Sequence, residues 1–211
     1  MDGVLFLSSE IHYQAYCEAL AAEPVEVLDY RELSGMRTDS AIQKIFNKSG
    51  IVLNPEKLQE LVSRKRESAS EMLRKQPPVA TDCNKVFAEF YRRGIPMALA
   101  SSSSSQNVQL FLESSGTRNF FSVILSGDDV KNAKPDPEIF RIARTCFGIL
   151  PEFCFVIEDS ESGIRSAQAD GMKVIGVVAQ HTQKELKLFG TVATISRLDE
   201  LLKLSLFQSN I

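Results

Sequence analysis

The sequence predicts an α/β protein, a doubly wound core built on a parallel sheet with a helical segment inserted near its start. Three observations predict it. Amphipathic helix patterns alternate with short, continuous apolar runs through the second half of the chain, as expected when both faces of a parallel sheet are covered. A glycine closes each of those helix patterns, and a glycine just past a helix can take the left-handed conformation that ends it. Residues 10–76, in contrast, carry helical patterns and no buried-strand run.

In chain order, the protein opens MDGVLFLSSEIHYQAY. An acidic residue and a glycine at positions 2 and 3 read as a strand end running straight into a tight loop. In the helical segment, Thr38 is placed to cap a helix bearing Ala41, Ile42, Ile45 and Phe46. Asn54 is placed as the N-cap of the next helix, with Pro55 at its first position. Leu58, Leu61, Val62, Met72 and Leu73 form its apolar stripe, interrupted by the charges at 64–67. RKQPPVATD then reads as a linker, because paired prolines cannot continue a helix. The division is a discontinuous core, 1–9 and 77–211, around an insert, 10–76.

Four helix–strand units follow. DCNKVFAEFYRRG puts Val86, Phe87, Phe90 and Tyr91 on one side and ends at Gly94, before the strand IPMALASS. QNVQLFLESSG ends at Gly116, before FFSVILSG. PDPEIFRIARTCFG ends at Gly148, before FCFVIED, and SESGIRSAQADG ends at Gly171, before MKVIGVV. Such alternation with right-handed crossovers gives the doubly wound fold, whose ligands bind at the carboxyl ends of the strands.

Composition narrows the function. A chain of 211 residues holds one large domain or a core with a small insert. A net charge of −3 argues against a nucleic-acid or membrane-surface partner. No apolar run approaches the roughly 20 residues that span a bilayer. Cys17, Cys83, Cys146 and Cys154 are scattered with no CxxC spacing, which argues against zinc and for reduced thiols in a cytoplasmic protein. A targeting segment ahead of Met1 would change that compartment.

The polar residues at the strand ends carry the chemistry. Asp2 stands where the first strand is expected to end, Ser101–Ser105 follow MALA, Lys134 follows LSGDDVKNA, and Glu158 and Asp159 follow FVI. Carboxylates, a lysine and a serine hydroxyl on one rim suit Mg²⁺ and a phosphate, since hard oxygen ligands suit Mg²⁺ and the lysine and hydroxyl hold phosphate oxygens. A structural ion-pair cluster would have the same composition.

DGVLF, ALASS, KPDPEIF and VIEDSESGIRSAQADGM stand in the order and spacing of the four motifs of the haloacid dehalogenase-like phosphohydrolases. The chain resembles that family over nearly its whole length, and is most similar to its branch of beta-phosphoglucomutases and sugar-phosphate phosphatases. The resemblance implies a Rossmann-like core, a helical cap domain inserted after the first motif, Mg²⁺ as cofactor, and a small phosphorylated metabolite as substrate. It implies a general acid/base and metal ligand at Asp2, a direct metal ligand at Asp159 and a less direct one at Glu158. Ser101 and Lys134 match the phosphate-holding pair, and the backbone of Ser102 matches an added N–H donor. In the cap, SGMRTDSAIQKI resembles the specificity loop, which puts Gly35 and Arg37 near the substrate. EIHYQAY and SRKRESA put His12 and Lys65 where beta-phosphoglucomutases keep a hinge histidine and a cap lysine. His181 matches no motif and is read as capping or decorating a surface helix.

Three departures qualify this reading. The family motif begins Asp-x-Asp-Gly with the nucleophile as its first Asp, and here Met1 occupies the x. Leu7 stands where relatives usually have Asp, and the serine run lacks the lysine that some mutases place there. The expected function is a Mg²⁺-dependent phosphatase acting through an aspartyl-phosphate, as a monomer. The alternatives are a phosphomutase and an inactive protein of the same fold.

Overall fold

The computed structural model of the chain describes residues 1–207. It begins with a tight turn. The Met1 carbonyl accepts from the N–H groups of Val4, Leu5 and Phe6, Gly3 takes φ +71°, and isolated bridges join Asp2 to Phe6 and Phe6 to Val79. The helical segment follows as α1 (Ser9–Leu20), α2 (Tyr30–Leu33), α3 (Thr38–Lys48) and α4 (Pro55–Lys75). Asn54 caps α4 as predicted, accepting from the N–H of Lys57 at 2.7 Å, with Pro55 as the first helical residue. At α3 the prediction is off by one, because Arg37 holds the cap position and Thr38 begins the helix. Tyr16, Leu33, Ile42, Ile45, Phe46 and Leu61 pack into a cluster drawn from residues of this segment alone.

The second half alternates as expected. It runs α5 (Cys83–Arg92), β1 (Ala98–Ala100), α6 (Ser105–Ser115), β2 (Val123–Leu125), α7 (Glu138–Phe147), β3 (Phe155–Glu158), α8 (Glu161–Ala169), β4 (Lys173–Val177), α9 (Gln183–Leu188) and β5 (Ala193–Ile195). Gly116 and Gly148 close α6 and α7 in the left-handed conformation. Val86, Phe87 and Phe90 are buried as the helix pattern requires, while Tyr91 is 65% exposed. His181 is not a surface decoration; it is buried, edge-on to Phe189. The four cysteines are free thiols. No helix of the described residues is long and apolar enough to cross a membrane.

All the strand pairs are parallel, but they form two sheets among the described residues, not one. β1 pairs with β2, in the register Leu99↔Ile124, and the other sheet has the order β3-β4-β5, with Ile157↔Ile175 and Gly176↔Thr194. Between the two sheets lies an apolar cavity of about 290 Å³, lined by Met1, Leu5, Leu99, Phe155 and Ile157 among others. The carboxyl ends of β1 and β3 carry the serine run and the Glu158–Asp159 pair.

Candidate active site

Asp2 is held by four side-chain partners. The tight turn at Gly3 leads into α1, and Ser8, at the N-cap of α1, donates to Asp2 Oδ1 at 2.6 Å instead of capping its own helix. One turn on, His12 Nε2 lies 3.0 Å from the same oxygen. Asp2 Oδ2 accepts from Ser103 at 2.7 Å and from Ser101 at 3.4 Å, both just past β1. Burial opposes the charge, yet His12 and Ser8 hold the Asp2 carboxyl well below its ordinary value.

The helical segment reaches this carboxylate through His12. Lys65, on α4, donates to His12 Nδ1 at 3.0 Å and lies 4.5 Å over the Tyr16 ring. Burial, and then the charge of Lys65, push the His12 pKa down. The ring is therefore neutral near pH 7, with Nδ1 accepting from Lys65 and Nε2–H donating to Asp2; this tautomer is assigned from the network. Burial pulls the Lys65 ammonium down to about 8, with Asp2 opposing the fall.

The other half of the site sits on the β3–α8 turn. Glu158 Oε1 accepts from Lys134 at 2.7 Å, and Oε2 accepts from the N–H groups of Asp159 and Ser160 and from the Ser160 hydroxyl. Ser160 in turn caps α8 through the N–H of Gly163, where a Cβ would overlap the Glu158 carboxylate. Burial opposes ionisation of Glu158, but Lys134 keeps its pKa low. Asp159 behaves oppositely. No side chain of the described residues donates to its carboxylate, and burial together with the Glu158 charge pushes it up to about 8.

Nine of the ten predicted site residues line one cleft of about 50 Å³: Asp2, His12, Gly35, Lys65, Ser101, Ser102, Lys134, Glu158 and Asp159. Gly35, at φ +74°, packs against Ser160 with no room for a Cβ, and its carbonyl accepts from the Ser102 hydroxyl at 2.7 Å. Arg37, which the resemblance puts near the substrate, does not line this cleft. It grips Asp39 with Nε and Nη2, at 2.9 and 2.8 Å, and donates to the carbonyls of Val130 and Lys131. A guanidinium two residues from a carboxylate forms this fork readily, and its Nη1 ties the helical segment to the β2–α7 connection. Glu158, expected as an indirect metal ligand, has both oxygens engaged by Lys134 and the α8 turn.

Several residues that line or support the cleft have no assignment from sequence, among them Ser8, Ser34, Arg66, Ser103 and Ser104. Ser8 and Ser34 give no signal, Ser103 and Ser104 lie within the serine run, and Arg66 lies beside Lys65 in a charged stretch.

An Mg²⁺ ion fits the chemistry of this donor set. Asp159 is a buried carboxylate among carboxylates, and its raised pKa marks a place where positive charge is wanted. The described residues hold no preformed group of three His, Cys, Asp or Glu ligands.

The chain is similar to known proteins over most of its length. The phosphorylated carbohydrates phosphatase of Thermotoga maritima is 30% identical over 202 residues, covering 92% of this chain and 91% of that protein. The chloroplastic 5-amino-6-(5-phospho-D-ribitylamino)uracil phosphatase of Arabidopsis thaliana is 30% identical over 171 residues, covering 81% of this chain and 44% of that longer protein. The crystal structure of CbbY from Rhodobacter sphaeroides in complex with phosphate superposes with a TM-score of 0.80 at 27% identity, covering 95% of this chain and 93% of that one. The haloacid dehalogenase-like hydrolase model matches residues 1–177, from the Asp2 turn through β4, and on that match the chain belongs to the haloacid dehalogenase-like hydrolases.

Proposed function

We propose that the site serves a Mg²⁺-dependent phosphatase of a small phosphorylated carbohydrate or similar metabolite, working through an aspartyl-phosphate. The observation that carries this reading is Asp159, a buried carboxylate with a raised pKa and, among the described residues, no side-chain donor, in one cleft with Asp2, Ser101 and Lys134. Asp159 and Asp2 would hold the metal, which when bound offsets charge on the phosphate oxygens. Ser101 and Lys134 would hold the phosphate, with Lys134 turning from Glu158 to do so. Asp2, protonated, would give its proton to the leaving oxygen as the aspartyl-phosphate forms, and, ionised and held by its four donors, would then take a proton from the water that hydrolyses that intermediate. The names of the Thermotoga and Arabidopsis relatives support a phosphatase over other chemistries.

The family motif puts the attacking carboxylate one residue before Met1. Asp2, Glu158 and Asp159 are the only carboxylates lining the cleft among the described residues, and each is committed to another role. This favours a second reading for the 211-residue chain by itself: it binds the phosphorylated metabolite without turning it over. The Asp159→Asn variant tests the shared part of both readings. By calorimetry it is expected to lose Mg²⁺ affinity while keeping its fold, and unchanged affinity would sink the metal assignment.

A further inference from the structure

Three buried polar atoms belonging to residues that line the cleft have no hydrogen-bond partner among the described residues: Ser34 Oγ, Ser104 Oγ and Arg66 Nε. Buried polar groups are nearly always bonded, so three orphans in one cleft need an account. Ser104 is the clearest. It stands at the N-cap of α6, where a serine hydroxyl normally accepts from the helix, yet it caps nothing. Its neighbours Ser101, Ser102 and Ser103 all use their hydroxyls, on Asp2 and on Gly35. Ser34 follows α2 in the insert and is 6% exposed. Arg66 directs Nη2 to Asp128 at 3.0 Å, leaving its Nε–H without an acceptor.

We propose that Ser34, Arg66 and Ser104 form the subsite for the substrate's leaving group, and that this group is an uncharged polyol or sugar and not one bearing a second phosphate. The proposal rests on the phosphatase reading above. Each orphan can donate a hydrogen bond, and the two hydroxyls can also accept, which matches the mixed donors and acceptors of neighbouring alcohols. Charge decides against a second phosphate, which would bring nearly two negative charges at pH 7. Arg66 is already neutralised by Asp128, and Lys134 by Glu158. Lys65 is directed at His12. The cleft is small, about 50 Å³, and an alcohol seated in it would give the three orphans their missing partners.

The test is calorimetric titration in Mg²⁺ with D-sorbitol 6-phosphate, fructose 1,6-bisphosphate and inorganic phosphate, which needs no turnover. D-sorbitol 6-phosphate is expected to bind more tightly than inorganic phosphate. Ser34→Ala and Ser104→Ala are each expected to weaken it about three- to tenfold, one hydrogen bond's worth, with phosphate binding unchanged. Neither variant should lower Tm, because the free protein loses no bond. Arg66→Lys keeps a charge facing Asp128 but removes the Nε–H, and is expected to show the same selective loss. The proposal is overturned if all three variants bind D-sorbitol 6-phosphate like the parent, or if Tm falls while binding holds. It is also overturned if the bisphosphate binds more tightly than the monophosphate through Arg66, which would make the subsite one for a second anion. Absence of any phosphate binding by the parent overturns the phosphatase reading itself, and the subsite with it.

Discussion

Gly3 lies against the Asp159 carboxylate so closely that a Cβ on Gly3 would overlap it. The glycine also holds φ +71°, which side-chain-bearing residues adopt at a cost of about 1–2 kcal/mol. Gly3→Ala is therefore expected to act twice, straining the turn that aims Asp2 and displacing Asp159. Tm should fall by at least about 2–4 °C, and Mg²⁺ affinity measured by calorimetry should fall with it. A variant with parental Tm and affinity would mean that the contact is loose in solution.

Lys134 and Glu158 form a buried ion pair, with side chains 4% and 8% exposed. Removing one partner of such a pair leaves an uncompensated buried charge and typically costs about 3–5 kcal/mol. Lys134→Met and Glu158→Gln are each expected to destabilise in urea unfolding, and the double variant by clearly less than their sum. Additive losses would show that the pair is not energetically coupled.

Much of the site could be read from the chain, because its residues follow strand ends and the strands are plain apolar runs. Ser101, Lys134, Glu158 and Asp159 are adjacent in space for that reason. The place of Arg37 was not legible, because besides Asp39 it is held by the carbonyls of Val130 and Lys131, and main-chain acceptors leave no mark in a sequence. β5 (Ala193–Ile195) went unread because three residues in TVATIS carry too little pattern. The separation of β1–β2 from β3–β5 was equally hidden. Helix and strand patterns report which faces are buried, not which edges are joined.

Asp159 makes metal binding and stability depend on pH in opposite directions. Its carboxyl moves from an ordinary 3.8 to about 8 in the fold, through burial and the Glu158 charge. A raised acid contributes stability that is complete below its unfolded pKa and is lost as pH rises through the folded one. Without metal, Tm is therefore expected to decline between about pH 4 and pH 8. Mg²⁺ must displace that proton, so its affinity should rise over the same window, by at most roughly tenfold per pH unit. Asp159→Asn should flatten both trends in thermal melts with and without Mg²⁺. A parental metal affinity that is flat from pH 6 to pH 8 would contradict the assignment.

Met1, Leu99 and Ile157 line the apolar cavity of about 290 Å³ between the two sheets. Among the described residues β1 pairs only with β2 and β3 only with β4, so two parallel edges face this space without a strand partner. Unpaired edges beside apolar walls favour aggregation. A segment of about six apolar residues ending in Asp, joined directly ahead of Met1, has the length of a common strand. In the cavity it would run parallel to both edges and bring its terminal carboxylate to the cleft beside Asp2. Two independent gains are expected against the 211-residue chain. Tm should rise and aggregation fall, because one sheet replaces two. Phosphatase activity with Mg²⁺ should also rise steeply, because covalent catalysis needs a carboxylate that neither Asp2 nor Asp159 can supply without leaving its own role; losing a nucleophile costs on the order of a million-fold in kcat in another hydrolase. Replacing the added Asp with Asn separates the gains, since it should keep the higher Tm and lose the turnover. If the 211-residue chain matched the extended one in rate, a different nucleophile would be at work and the place of Met1 in the motif would have to be reassigned.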